Sequence, residues 1–296
     1  MFDLSPYSLI GIIICINLFS TVLAKVFQQK FRLGIYNIIQ YNFFNALIAC
    51  VFLFFANRFV ININLATFVF AAVCALFSII SLTLQYIAYS CVSISLISIV
   101  SASGSIIAPT VFGIIFFNEP LTLRLIISII CILSALTVPI LRNQSFGLTK
   151  KGLVICLIYI LYSGLPTILS QLYARNKYVV DNFSYFFITN VIILTLTGTA
   201  LLFLATQYKL KKQEKPSMLD IKQIANIAVR CFFSQSISLL SIIILKEMSA
   251  SVYSVTTTAL GLVGAALLSG FIFKEKFPPE NFLALVLAVA AIIIGS

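Results

Sequence analysis

The sequence predicts an all-α integral membrane protein of ten transmembrane helices arranged as a 5+5 inverted repeat. Three observations carry that prediction. Of 296 residues, 61% are apolar and 9% charged, whereas a soluble domain averages about 45 to 50% apolar and about 25% charged. The apolar residues fall into long runs, each near the roughly 20 residues that a helix needs to cross a bilayer. A faint internal repeat relates one set of five runs to the other.

The runs follow one another with charge or turn residues between them. The first covers 5 to 27. Its start carries Asp3 instead of a basic region, and no small-residue cleavage pattern follows, so it is expected to be a retained span and not a signal peptide. The second, third and fourth lie at 36 to 57, 65 to 89 and 92 to 117, and the fifth at 121 to 141. The sixth and seventh, 152 to 173 and 183 to 206, precede the one long polar stretch, Gln207 to Asp220, whose lysines suit a solvated loop or contact with anionic lipid. The eighth, ninth and tenth occupy 221 to 245, 249 to 273 and 279 to 295. Continuous apolarity favours helices, because a membrane β-barrel would alternate apolar and polar residues over shorter segments.

The repeat appears as two shifts. A shift of 144 sets Tyr41 and Phe43 on Tyr185 and Phe187. A shift of 156 sets Ser78 on Ser234, Ser95 on Ser251, Ser98 on Ser254, Phe117 on Phe273 and Glu119 on Glu275. The long loop before the eighth span absorbs the difference. Residues 1–146 form the first repeat and 147–296 the second, within one integrated membrane domain. Five spans per repeat is an odd number, so the second copy enters the membrane inverted, which is a frequent basis of alternating access to a midplane site.

Charge and composition exclude several function classes. The net charge of +11 comes from residues in short loops, where it orients the chain and meets lipid headgroups, so the expected partners are the bilayer and a small-molecule substrate, with no nucleic acid. A monomer or weak homodimer is expected, located in the bacterial cytoplasmic membrane. There is no His, and the seven Cys lie in apolar runs without a C-x-x-C pair. Zinc sites, His-based triads and a disulfide framework are therefore unsupported, and no cofactor and no metal is expected. The acidic residues Asp3, Glu119, Asp181, Glu214, Asp220, Glu247, Glu275 and Glu280 all fall at span ends or in loops, so paired intramembrane carboxylates are missing too. The protein is not expected to be an enzyme.

The strings NEPLT at Asn118 and KEKFPPE at Lys274 close the fourth and ninth spans and lead directly into the fifth and tenth. With ten spans and the Ser20, Thr21 to Lys25 ending of the first, the chain resembles the EamA type of the drug/metabolite transporter superfamily over its whole length. That resemblance implies a 5+5 inverted bundle, a central cavity lined mainly by spans 3, 4, 8 and 9, and movement of small organic solutes.

Residues three, four or seven apart share a helix face. The candidate substrate-binding stripes are Ser78, Ser81, Gln85 and Tyr89 on span three, and Ser98, Ser101 and Ser105 on span four. Span eight offers Arg230, Ser234, Ser238 and Ser241, and span nine Ser254, Thr257 and Gly261. For the small hydroxyl residues two readings stay open, tight helix packing and cavity lining. Gln85 and Tyr89, larger and more polar, favour lining. Arg230 is the most informative single residue. It lies ten positions past Asp220, about 15 Å along a helix, and an intramembrane Arg is costly unless it faces water or a partner. A substrate carboxylate or phosphate is one partner; snorkelling to the interface is the alternative. Glu119 and Glu275 are expected to begin the fifth and tenth spans, where a carboxylate suits the positive end of the helix dipole.

The absence of an intramembrane carboxylate favours a metabolite, an amino acid or another zwitterion or anion, over a lipophilic or quaternary cation. An aromatic cage keeps the cation as the alternative, and a non-transporting membrane scaffold is the alternative of another class. Lack of Asp, Glu and His inside the spans also points to uncoupled transport or exchange. Orientation is open: with a cytoplasmic N-terminus, as the resemblance implies, the basic residues concentrate in the opposite loops, against the positive-inside rule.

Overall fold

The computed structural model describes residues 6–28, 35–91, 94–120, 122–143, 150–176, 181–210 and 219–271, with single positions between 283 and 294. Every regular element among them is an α-helix. In chain order these are α1 (Pro6–Gln28), α2 (Ile35–Ala56), α3 (Leu65–Cys91), α4 (Ile94–Phe117), α5 (Leu123–Asn143), α6 (Lys150–Arg175), α7 (Asn182–Leu210), α8 (Ile221–Glu247) and α9 (Ala250–Phe271). Each coincides within a few residues with one of the first nine apolar runs. Of the tenth, Leu283, Val286, Leu287, Val289, Ala290, Ile293 and Ile294 are helical and the remainder lies outside the described residues.

Four helical stretches are long and apolar enough to cross a membrane: Tyr36–Ala56, Leu157–Arg175, Asn182–Tyr208 and Ile221–Glu247. Shorter apolar stretches, Ser8–Ser20, Leu65–Ser81, Ser103–Phe117 and Leu123–Ala135, accompany them. Large apolar side chains stand exposed on several helices, among them Phe55, Phe116, Leu202 and Phe203. A water-facing surface would not carry them so densely.

Polar residues at the helix starts explain where the apolar runs become helices. Asn64 Oδ1 accepts the Thr67 amide at 2.7 Å and caps α3. Thr122 Oγ1 accepts the Leu125 amide at 3.3 Å and caps α5. The Asp181 carboxylate takes the amides of Phe183 and Ser184 at 3.2 and 3.0 Å at the start of α7. Asp220 and Gln223 form half of a capping box, with the Asp220 amide donating to Gln223 Oε1 at 2.7 Å.

The chain forms two compact units, and neither is a half of the sequence: each draws helices from both. One contains Met1–Leu18, Phe77–Arg175 and Ser241–Ser296. Within it α4 packs against α5, α6 and α9. Ile106, Leu125, Ile132, Val255 and Ala259 form a buried core there. A Cβ placed on Gly164 of α6 would lie 2.5 Å from Ala108 Cβ and 2.6 Å from the Gly104 carbonyl oxygen, so α4 and α6 approach to backbone contact through small residues. On α9, Gly264 is covered by the side chain of Leu18.

The other unit contains Phe19–Leu76 and Asn176–Leu240. Here α2 packs antiparallel on α7. Phe43 lies over Gly198, Phe54 against Phe187 at 5.9 Å, and Tyr36 against Tyr208 at 5.9 Å. The first two contacts exchange under the 144-residue shift, which takes Phe43 to Phe187 and Phe54 to Gly198. At the end of α2, Asn57 Nδ2 donates to Asp181 Oδ2 at 2.9 Å, and Ser184 Oγ accepts the Asn62 amide at 3.0 Å.

Candidate functional site

Arg230 lies within α8, one of the helices long and apolar enough to cross a membrane, in the unit that holds α2 and α7. Its guanidinium carbon sits 5.7 Å from the ring centroid of Tyr41 on α2. Its Nε is buried and has no hydrogen-bond partner among the described residues. One turn earlier on the same helix face, Asn226 Oδ1 is likewise buried and unpaired. An i, i+4 pair has side chains within reach of each other, yet the Arg230 side chain leans over Tyr41 instead. A buried polar atom left unpaired costs about 1 to 3 kcal/mol, and more when charged. Next to this pair, Cys231 Sγ donates to the Asn45 carbonyl at 3.4 Å, which holds α8 against α2.

Further along the same helix, Ser238 Oγ donates to the Ser234 carbonyl at 3.0 Å. The structure thus gathers Arg230, Ser234 and Ser238 on one stripe of α8 and adds Asn226 and Tyr41. Asn226 was not among the candidates read from the sequence, although its i, i+4 spacing from Arg230 is the signal that marks it.

The remaining described candidates belong to the unit that holds α4, α6 and α9. Ser241 Oγ and Tyr253 Oη lie 2.7 Å apart, joining the end of α8 to α9. Thr257 Oγ1 donates to the Tyr253 carbonyl at 2.7 Å, and Ser254 Oγ to the Ser251 carbonyl at 3.0 Å. Hydroxyls that bond to carbonyls of their own helix, as Ser238, Ser254 and Thr257 do, have a partner without any solute. Ser254 is buried in addition. Ser78, Ser81 and Ser105 are half-buried. The side chains of Gln85, Tyr89, Ser98 and Ser101 lie outside the described residues.

Glu119 departs from expectation. α5 begins at Leu123 with Thr122 as its cap, so Glu119 does not occupy that helix terminus. Asn118 takes a left-handed conformation, φ 51°, which ends α4 and turns the chain back. The Glu119 amide then donates to the Gly113 carbonyl at 3.1 Å. The carboxylate is buried, 8% exposed, and joins three helices. Oε1 accepts Gln171 Nε2 at 2.9 Å and Arg175 Nη2 at 3.3 Å from the end of α6. Oε2 accepts Ser251 Oγ at 2.5 Å from the first turn of α9. Arg175 also covers the Phe117 ring at 4.4 Å. The helix dipole that the carboxylate meets is that of α9 instead of α5. The partners Gln171, Arg175 and Ser251 are far away in sequence, and no local pattern marks them.

No family model and no curated protein matches this chain. Among solved structures, one crystal structure is similar over 97% of this chain and 95% of its own, with a TM-score of 0.73 and 14% identity. At that identity the likeness is one of fold alone.

Proposed function

We propose that this protein is a transporter of a small organic anion or zwitterion in the bacterial cytoplasmic membrane, working by alternating access between two inverted five-helix repeats. The observation that carries this reading is Arg230. A guanidinium within an apolar spanning helix, with a buried Nε that no described side chain satisfies, calls for an anionic partner, and the spans supply no carboxylate of their own. An aromatic cage for a cation is less well supported, because the Tyr41 ring next to this position is taken up by Arg230 itself.

Three further features support the architecture. NEPLT and KEKFPPE carry the resemblance to EamA-type transporters. Two of the contacts between α2 and α7, Phe43 with Gly198 and Phe54 with Phe187, exchange under the repeat shift. Each compact unit interleaves helices from both halves, as two intertwined repeats require.

The test uses protein reconstituted in lipid vesicles, after a thermal-shift screen against amino acids, nucleotides, sugars and quaternary amines has supplied a solute. Arg230→Gln is expected to lower transport far more than Arg230→Lys, because a positive charge is the primary requirement. Melting curves of both variants separate loss of function from loss of fold. Wild-type rates in well-folded Arg230→Gln would overturn this reading.

A further inference from the structure

Arg230 Nε and Asn226 Oδ1 are a buried donor and a buried acceptor, one helical turn apart on one face of α8, and neither has a partner among the described residues. Two complementary groups so placed would ordinarily bond to each other. Here the guanidinium lies over Tyr41 on α2, and the Asn226 amide oxygen has no hydrogen-bond partner among the described residues. A ligand that satisfies both at once must offer an anion to the arginine and a hydrogen-bond donor to the amide oxygen, the two groups close together. An unsubstituted carboxylic acid offers only the first, and it leaves the Asn226 oxygen desolvated and unpaired on binding. A dicarboxylate brings a second acceptor towards an acceptor.

We infer that Asn226 is a specificity-determining residue, and that it acts with Arg230 to select carboxylates bearing a donor, ammonium or hydroxyl, on the carbon next to the carboxylate. The inference rests on the reading of Arg230 as an anion site and narrows its substrate class. The carboxylate takes the two-pronged edge of the guanidinium, a geometry that suits planar anions. The donor on the neighbouring carbon reaches back one turn to Asn226, across a Cβ separation of about 5 to 6 Å. A site built to bond a substrate donor rejects the analogue that lacks it more strongly than an apolar pocket rejects a missing methylene, because the site's own buried group is then stranded.

The experiment measures binding by calorimetry to purified, folded protein, which avoids leakage of weak acids through vesicles. The probes are matched triplets, each an amino acid, its 2-hydroxy analogue and its unsubstituted acid, with methyl, isobutyl and benzyl side chains. In the wild type, at least one triplet is expected to lose on the order of tenfold or more in affinity when the neighbouring donor is removed. A larger loss for the hydroxy acid than for the amino acid would assign the donor as hydroxyl, and the reverse as ammonium; either order supports the inference. Asn226→Ala is expected to bring the members of that triplet within about threefold of one another, a residual difference of less than one hydrogen bond. Asn226→Gln, which keeps the amide, is expected to restore part of the preference. Arg230→Gln is expected to weaken every member.

Equal binding of all three members that still requires Arg230 would overturn the role of Asn226 and leave the anion site standing. So would a preference that persists undiminished in Asn226→Ala. If no triplet binds, the narrowing to such carboxylates is overturned; if binding ignores Arg230, both readings fall together. The wild-type series needs no substitution, so equal binding there overturns the inference even if Asn226→Ala does not fold, and Asn226→Gln then carries the comparison.

Discussion

Glu119 and Ser251 meet at 2.5 Å although 132 residues separate them, and their contact fixes the turn after α4 to the first turn of α9. Gln171 and Arg175 bring the end of α6 to the same carboxylate. A single side chain thus replaces three separate pairings among helix ends. Removing it strands several donors at once. Glu119→Ala is expected to destabilise the protein by on the order of 3 kcal/mol, since hydrogen bonds to a charged group are worth about 1.5 to 3 kcal/mol each and do not add fully. Glu119→Gln keeps one acceptor oxygen and is expected to lose about half as much. Unfolding of detergent-solubilised protein, followed by helix content, measures both. A melting point unchanged in Glu119→Ala would show that these contacts contribute no net stability.

The clasp has a seat. A Cβ added to Gly113 would collide with the Glu119 carboxylate oxygen and lie 2.8 Å from its carboxyl carbon. Gly113→Ala is therefore expected to displace Glu119 and destabilise by about 1 to 3 kcal/mol, the range of overpacking. In an ordinary helix the same change stabilises by about 0.5 to 1 kcal/mol. The decisive comparison is the double variant. Once Glu119 is already alanine, the obstacle is gone, and Gly113→Ala is expected to turn neutral or stabilising. Additive effects in the double variant would separate Gly113 from the clasp.

Gly164 and Gly261 form a matched pair for helix contact. A Cβ on Gly164 meets the Gly104 carbonyl at 2.6 Å and Ala108 Cβ at 2.5 Å, and backbone cannot swing aside. A Cβ on Gly261 meets nothing within 4 Å. Gly164→Ala is expected to separate α4 from α6 at a cost of about 1 to 3 kcal/mol, whereas Gly261→Ala is expected to be neutral or to gain up to about 1 kcal/mol of helix propensity. Folded yield by size-exclusion profile and melting temperature report both. Equal behaviour of the two variants would contradict the close approach of α4 and α6.

The positions of these helices were legible because hydrophobic run length is a local property. Polar caps such as Asn64, Asp181 and Asp220 stand next to the runs they start, so they too could be read along the chain. The role of Glu119 was not legible. Its position before an apolar run looked like a helix start, but Thr122 supplies that cap, and the left-handed Asn118 sends the carboxylate to partners on α6 and α9. Serine stripes were ambiguous for a different reason. A helical serine bonds either to a solute or to its own preceding turn, and sequence spacing is the same for both; Ser238, Ser254 and Thr257 take the second course. Arg230 stood out in the sequence because a charge within an apolar run is costly wherever it points. Its orientation over Tyr41, which leaves Asn226 open, depends on the packing of α2 against α8.

Energy coupling follows from where the titratable groups lie. A proton-driven carrier needs a group inside the protein that gains and loses a proton near neutral pH, usually Asp, Glu or His. The spans carry none in their interiors, and the buried carboxylate of Glu119 is bound to Arg175, Gln171 and Ser251 within a single compact unit. A group that served as proton carrier would have to exchange those donors in every cycle. Glu119 is better suited to a fixed clasp, and the proposed transport is facilitated diffusion or solute exchange without an obligatory proton. In reconstituted vesicles at zero membrane potential, an imposed pH gradient is expected to leave the final distribution of labelled solute at its equilibrium value. Exchange across the membrane should speed up when unlabelled solute is present on the far side. Glu119→Gln, where it folds, is expected to keep both behaviours, because its role is to hold helix ends together. Accumulation above equilibrium that vanishes when the gradient is collapsed would falsify the uncoupled mechanism, and its loss in folded Glu119→Gln would identify the clasp as the proton site.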